Sequence, residues 1–208
     1  MAKSTSRRKQ NRLRDLFFIR RFPKRQVPED WERPESDKEY AQLLESEDFM
    51  TLHFERDKDD KYPVVVQDLK DMDEHLLPTF FEFSQKSKYF QNMFYTYQWV
   101  FIMGTFGTTV LGVLITYLFN TPEALDGIPF KIITLLTSLV SALIAAMTAL
   151  ANRRQPQRRW ATSRRAAEEL RMNYFIYISH LAPYDQADRL DVLRARVVDL
   201  QDMEEQDV

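Results

Sequence analysis

The chain contains no cysteine, which excludes disulfides, thiol catalysis and cysteine-ligated metals. It has only four glycines in 208 residues. Three of them, Gly104, Gly107 and Gly112, lie inside one apolar run, so a glycine loop that cradles phosphates has no place. The three histidines, His53, His75 and His180, are scattered, and none has a partner at metal-ligand spacing. There is no nucleophile elbow and no paired-histidine motif. These absences lead us to expect no enzyme activity, no catalytic residue, no cofactor and no metal.

Charge is also missing from one long stretch. No ionisable acid or base of the Asp, Glu, Lys, Arg or His type occurs from Tyr89 to Pro122. Within it, Gln98–Phe119 is an apolar run whose length as a helix is about 33 Å. The hydrocarbon core of a bilayer is about 30 Å thick. A second run, Ile128–Ala151, carries one charge, Lys131, near its start, where a long side chain reaches the headgroups. Two such runs side by side are rare in water-soluble folds. They predict an all-α integral membrane protein: a transmembrane hairpin with spans at 98–119 and 128–151, and cytoplasmic helical extensions before and after it.

Flanking charge predicts the orientation. The connecting loop Asn120–Gly127 holds Glu123 and Asp126 and no Lys or Arg, whereas Arg153, Arg154, Arg158, Arg159, Arg164 and Arg165 follow the second span. Lys86 and Lys88 precede the first. Cytoplasmic flanks carry the basic excess, so both termini are expected in the cytoplasm of a cell with this protein in its inner or plasma membrane. Net charge is −2, but its distribution is uneven. Lys3–Arg25 holds ten bases and one acid, and Glu29–Glu82 eighteen acids and six bases.

Three regions follow. Residues 1–61 are a basic and then acidic, loosely ordered N-terminal region. In its tail, Leu13, Leu16, Phe17 and Phe22 alternate with arginines, which fits either an amphipathic helix on an anionic leaflet or a solvated tail. Specific nucleic-acid binding is not expected. A short helix is predicted around Lys38–Glu47. Asp57–Lys61 lacks the glycine and terminal glutamate of a calcium loop and reads as a solvated acidic turn. Residues 62–184 are the two-span domain. Leu69, Met72 and Leu76 lie at helical spacing, with Asp68, Lys70, Asp71, Asp73 and Glu74 on the other faces, and Pro78 ends or kinks that helix. Phe83, Phe90, Phe94 and Tyr97 carry the helical pattern onward, so the first span is expected to continue a cytoplasmic helix. Tyr89, Tyr95, Tyr97 and Trp99 cluster at the expected inner interface. A further helix is predicted from Gln157 to about Ser179, and Pro183-Tyr184-Asp185 marks a turn. Residues 185–208 form an amphipathic helix whose Leu190, Leu193, Val197 and Leu200 make a short coiled-coil-like stripe, or a face for the helix before Pro78.

The spans carry small residues at four-residue intervals: Gly104, Thr108 and Gly112 in the first, and Thr134, Ser138, Ala142 and Ala146 in the second, with Ser141, Ala145 and Ala149 beside them. Small residues let helices approach closely in lipid, so these rows predict helix packing and a homo-oligomer. Their hydroxyls either line a narrow aqueous path or bond the preceding turn of their own helix. No Asp, Glu, Arg or His lies near the midplane, which excludes proton relays, ion-coupled transport and voltage sensing.

After the second span the chain reads Trp160, Arg164, Glu168, Leu170 and Arg171, then the aromatics Tyr174, Phe175 and Tyr177, and finally Pro183-Tyr184. This pattern resembles the SLATT superfamily of two-span membrane proteins, including the branch catalogued as a domain of unknown function. The resemblance covers roughly Val64–Tyr184. Two positions depart from it: Ser163 stands where a tyrosine is usual, and Asn173 where an acid is frequent. The resemblance implies an oligomeric, pore-forming or membrane-perturbing effector that answers to a cytoplasmic sensor or nucleotide-signalling partner. The residues themselves support a plainer role for the motif. Trp160, Arg164 and Glu168 share one helix face, where the arginine and glutamate can pair and the helix can form a packing seam. The alternative function is a non-catalytic membrane anchor or scaffold that recruits cytoplasmic partners.

Overall fold

The computed structural model of the protein describes residues 23–24, 26–50, 62–119 and 127–207. The expectations for the basic tail through residue 22, for Asp57–Lys61 and for the loop residues 120–126 lie outside these. The described residues form helices and no strand: α1 Asp37–Ser46, α2 Pro63–His75, α3 Leu77–Leu118, α4 Ile128–Arg154, α5 Pro156–Ile178 and α6 Arg189–Asp207. They fall into two compact units, Met1–Gln26 with Gln91–Pro156, and Val27–Phe90 with Gln157–Val208.

Prolines and scarce glycine explain the boundaries. Pro63 opens α2, where its missing N–H is one that a helix start leaves unused anyway. Pro78 cannot donate to the carbonyl of Glu74, so α2 stops at His75 and α3 starts afresh at Leu77. α3 then runs for 42 residues without a break, so the helix before the first apolar run does continue into it. Gln155 closes α4 in the left-handed conformation, φ 43°, because Pro156 bars it from the α region. Two other helices end in the left-handed turn that glycine usually supplies. After α1, Phe49 N–H bonds Leu44 O at 2.9 Å and Asp48 N–H bonds Glu45 O at 3.1 Å, with Asp48 at φ 61°. After α5, Leu181 N–H bonds Ile176 O at 3.2 Å and His180 N–H bonds Tyr177 O at 3.0 Å, with His180 at φ 51°. A chain with almost no glycine thus places an aspartate and a histidine where strain is inherent.

The second unit is a helical head. Met72, Leu76, Leu170, Leu193, Tyr174, Tyr177 and Tyr184 are buried in one core. α5 runs antiparallel to α2 and the base of α3: Asp68 meets His180, Asp71 meets Tyr177, and Arg159 lies over the Phe90 ring at 5.6 Å. α6 runs parallel to α2, with Arg189 on Asp68, Arg194 on His75 and Gln201 on Thr79. Leu193, Val197 and Leu200 of α6 are buried in this core, so the stripe is used inside the chain. The segment from residue 27 to Phe49, expected to be loosely ordered, is tied down by aromatic contacts. Trp31 stacks on Phe81 with centroids 5.2 Å apart, and Phe49 packs on Phe80 at 4.8 Å and on Tyr174 at 4.6 Å.

The first unit is the apolar pair. Its helices touch at two levels. A Cβ built on Gly104 would lie 2.7 Å from Ile144 Cγ1, so Ile144 occupies the space that a side chain would need. The rings of Phe119 and Phe130 are 5.4 Å apart. The half-buried residues along the contact include Phe101, Gly104, Thr108, Leu111 and Ile115 on α3, and Ile133, Thr137, Val140, Ile144, Met147 and Ala151 on α4. Both series advance in alternating steps of four and three, the spacing of one face of a packed helix pair. No residue of α4 is buried. Phe106, Leu135 and Tyr117 are 67%, 70% and 84% exposed.

Candidate functional site

The helix α5 supplies the motif residues, and they divide by environment. Leu170 is fully buried in the head. Arg171 donates to the carbonyl of Glu47, lies 3.4 Å from its carboxylate, and stands over the Phe49 ring at 5.7 Å. That contact ties the end of α1 to α5. Arg164 and Glu168 pair on the exposed surface, where such a pair contributes only about 0.3–0.5 kcal/mol. Trp160 is half-buried. Tyr184, beyond the end of α5, is buried and donates its hydroxyl to Asn173 Oδ1 at 2.6 Å. Ser163 and Asn173 are both buried. Asn173 also donates to Glu169 O at 2.8 Å. The amide therefore accepts a hydrogen bond from the tyrosine and donates one to the helix, and both partners in this buried corner are neutral.

The strongest electrostatic feature was not read from the sequence. Asp68 lies on the buried side of α2, at 0% exposure, and not on a solvated face. Arg189 Nη2 donates to its Oδ1 at 2.5 Å, and His180 Nε2 stands 2.7 Å from its Oδ2. His180 Nε2 is also 2.8 Å from Arg189 Nη1. One buried carboxylate thus joins α2, the strained end of α5 and the start of α6. Elsewhere in the head, Arg196 pairs with Glu169, and Arg33 and Tyr40 both donate to Asp73, at 2.9 and 2.5 Å, in partly exposed contacts. A buried ion pair adds little net stability but is costly to break, so this network fixes which helices meet.

Tyrosine hydroxyls in the head are shifted. Burial pushes the Tyr174 phenol up to about 12, against the opposing bond from Met50 N–H. Burial, with the charge of Asp71, pushes Tyr177 to about 12. Burial and the bond to Asp73 raise Tyr40 further, and burial raises Tyr184, with Arg196 opposing. Each stays a neutral hydrogen-bonding group at physiological pH. No group of three or more acidic, histidine or cysteine side chains placed to hold a metal occurs among the described residues.

In the apolar pair, the small residues occupy two different positions. Gly104 and Thr108 lie in the α3–α4 contact. Gly112, Ser138, Ala142 and Ala146 are exposed, and a Cβ built on Gly112 meets nothing within 4 Å. The α4 rows thus point away from α3, which packs on the Ile133–Ile144 series instead. The hydroxyls bond their own helices: Thr108 and Thr109 donate to Thr105 O, Thr116 to Gly112 O, Thr137 to Ile133 O, Ser138 to Thr134 O, Ser141 to Thr137 O and Thr148 to Ile144 O, all at 2.8–3.0 Å.

These features define a mostly helical protein with two helices long and apolar enough to cross a membrane. The chain belongs to the family described as a protein of unknown function, DUF4231, whose model matches residues 82–191. The match takes in α4, α5 and nearly all of α3. α1, α2 and most of α6 lie outside it. No curated protein and no solved structure matches the chain.

Proposed function

We propose that the protein is a two-span component of the cell membrane, inner or plasma, with both termini in the cytoplasm. In this reading it self-associates and acts as an oligomeric pore-forming or membrane-perturbing effector, worked through its helical head by a sensor or nucleotide-signalling partner. The observation that carries the spanning part is the register of the apolar pair. Gly104 stands against Ile144. Nine residues toward the cytoplasmic end on each helix bring Tyr95 level with Arg153. Thirteen the other way bring Tyr117 level with Lys131. The slab between these levels is about 33 Å thick, and aromatic and basic side chains bracket it at both faces as they do at membrane interfaces. Lipid is the solvent that suits the exposed Phe106 and Leu135 between them.

Self-association is supported by the outward small residues, which the α3–α4 contact leaves open. The effector role is supported by the SLATT resemblance of α5. Conductance of the full-length protein in a planar bilayer tests it. Discrete current steps that vanish in Gly112→Leu are expected, because a Cβ at that position meets nothing within one chain. A silent bilayer containing inserted protein, with and without added nucleotides, would overturn the pore.

A non-catalytic anchor or scaffold is the second reading. The hydroxyl bonds favour it, since they leave the spans of a single copy with no polar lane. Deleting residues 1–61 separates the two readings: it abolishes partner recruitment by a scaffold and spares a pore.

A further inference from the structure

We propose that the head carries a docking site for a peptide segment with an acid two residues before an aromatic ring. The chain's own Glu47-Asp48-Phe49 fills that site, and a partner segment of the same chemistry displaces it. The inference concerns the head alone and stands without the spanning orientation proposed above.

Phe49 is buried in a cage of four rings. Phe80 and Phe81 come from the base of α3, and Tyr174 and Phe175 from α5. Their centroids lie 4.8, 6.3, 4.6 and 6.4 Å from that of Phe49, within the range of favourable ring contacts. Two cations stand at the mouth. Lys88 Nζ is 3.3 Å from Glu47 Oε1, and Arg171 Nη2 is 3.4 Å from Glu47 Oε2. Arg171 also donates to the Glu47 carbonyl and lies over the Phe49 ring. Tyr174 Oη accepts the Met50 N–H at 3.1 Å. The site thus contacts a carboxylate, a ring and the backbone on either side of that ring. Its two cations are the complement of an acidic segment.

Three observations separate this occupant from the rest of the core. Lys88, Arg171, Tyr174 and Phe175 lie within the family domain, residues 82–191, and Glu47 to Met50 lie well before it. The seat is also larger than its occupant. Phe175, a wall of the cage, stays 42% exposed, and Met172, three residues earlier on α5, 55%. A longer segment laid along α5 would cover both. Finally, the occupant is seated under strain. Asp48, between the acid and the ring, has φ 61°, and a segment with glycine there escapes that cost. Tethering holds the resident segment at an effective concentration on the order of millimolar, so a partner must bind more tightly than that to displace it.

Amide hydrogen exchange of the full-length wild type in detergent tests whether the occupant leaves by itself. The N–H groups of Asp48, Phe49 and Met50 are all bonded. They are expected to exchange through an opening that leaves residues 170–177 protected. Exchange of both groups only together would make Phe49 an ordinary core residue and overturn the proposal. Fluorescence anisotropy of a labelled peptide with the sequence of residues 36–50 tests the seat. It should bind full-length Phe49→Ala, whose cage is empty, about tenfold or more tighter than the wild type. Phe49→Ala in the peptide, or Arg171→Gln in the protein as well, should remove most of that gain. Equal binding to the wild type and to a Phe49→Ala protein of unchanged circular dichroism would overturn the proposal. So would binding indifferent to both further changes. The exchange measurement needs no variant, and it decides alone where Phe49→Ala does not fold.

Discussion

In the helical head, arginines meet carboxylates and tyrosine hydroxyls meet carboxylates, a backbone N–H or an amide, and an apolar core closes around them. In the apolar pair, no side chain of α4 is buried and every bonded hydroxyl turns back onto its own helix. The head is built as a water-facing protein is built, with the hydrophobic effect collecting Leu170, Tyr174 and Leu193 inside. The pair is built with its apolar surface outward and a narrow seam inside. The comparison teaches that stability of the head resides in specific partners, whereas contact within the pair resides in shape at a few positions such as Gly104.

That contrast can be broken most sharply at Asp68. Asp68→Asn leaves Arg189 without its buried countercharge and should cost about 3 kcal/mol, read as a lower urea midpoint for loss of head structure by circular dichroism. Carbonate extraction of the same variant should be unchanged, because the apolar pair contains no part of this network. Tyr184→Phe removes the donor to Asn173 and should cost about 1–3 kcal/mol by the same assay. An indifferent Tyr184→Phe would mean that the corner is filled by shape alone.

Alkali should distinguish the regions as well. Tyr174 and Tyr177 have folded pKa values raised above the unfolded value. Their contribution is therefore complete below about pH 10, and it is lost as pH rises toward about 12. Head unfolding is expected within that window. Tyrosinate absorbance of these two phenols should appear together with the loss of head structure, and Tyr174→Phe should delay it. Early, independent ionisation would sink the assignment.

Smaller effects sharpen the account. Asp48→Gly places a glycine at the left-handed end of α1 and should stabilise the head by up to about 1 kcal/mol. His180→Gly relieves the same strain but loses the contact to Asp68, so it should fall below Asp48→Gly in stability. Arg164→Ala should cost no more than about 0.5 kcal/mol. A larger loss would show that the exposed pair with Glu168 engages something beyond this chain.

The helices were largely legible because their signals are local. Prolines 63, 78 and 156 mark boundaries through a missing N–H, and the uncharged run from Tyr89 marks the apolar pair through its length. The motif helix was legible as a helix, and the Arg164–Glu168 pair as a pair, because four-residue spacing puts them side by side. Asp68 was not legible. Its neighbours on α2 are acidic, and periodicity assigns an isolated carboxylate to the wet face unless a partner 112 or 121 residues away is known. A clue lay in His180 and Arg189 flanking the Pro183 turn, but nothing in the chain connects them to α2 before folding does. The small-residue rows were legible as rows, yet their direction was not.

Residue order alone thus settled the helical class, the two apolar lengths and the unequal charge of the flanks, since each depends on neighbours within a few turns. Which face of α4 meets α3 and which carboxylate goes under the head were decided only by the tertiary structure. Those choices depend on distances between residues far apart in sequence, and the chain fixes them only when its helices pack.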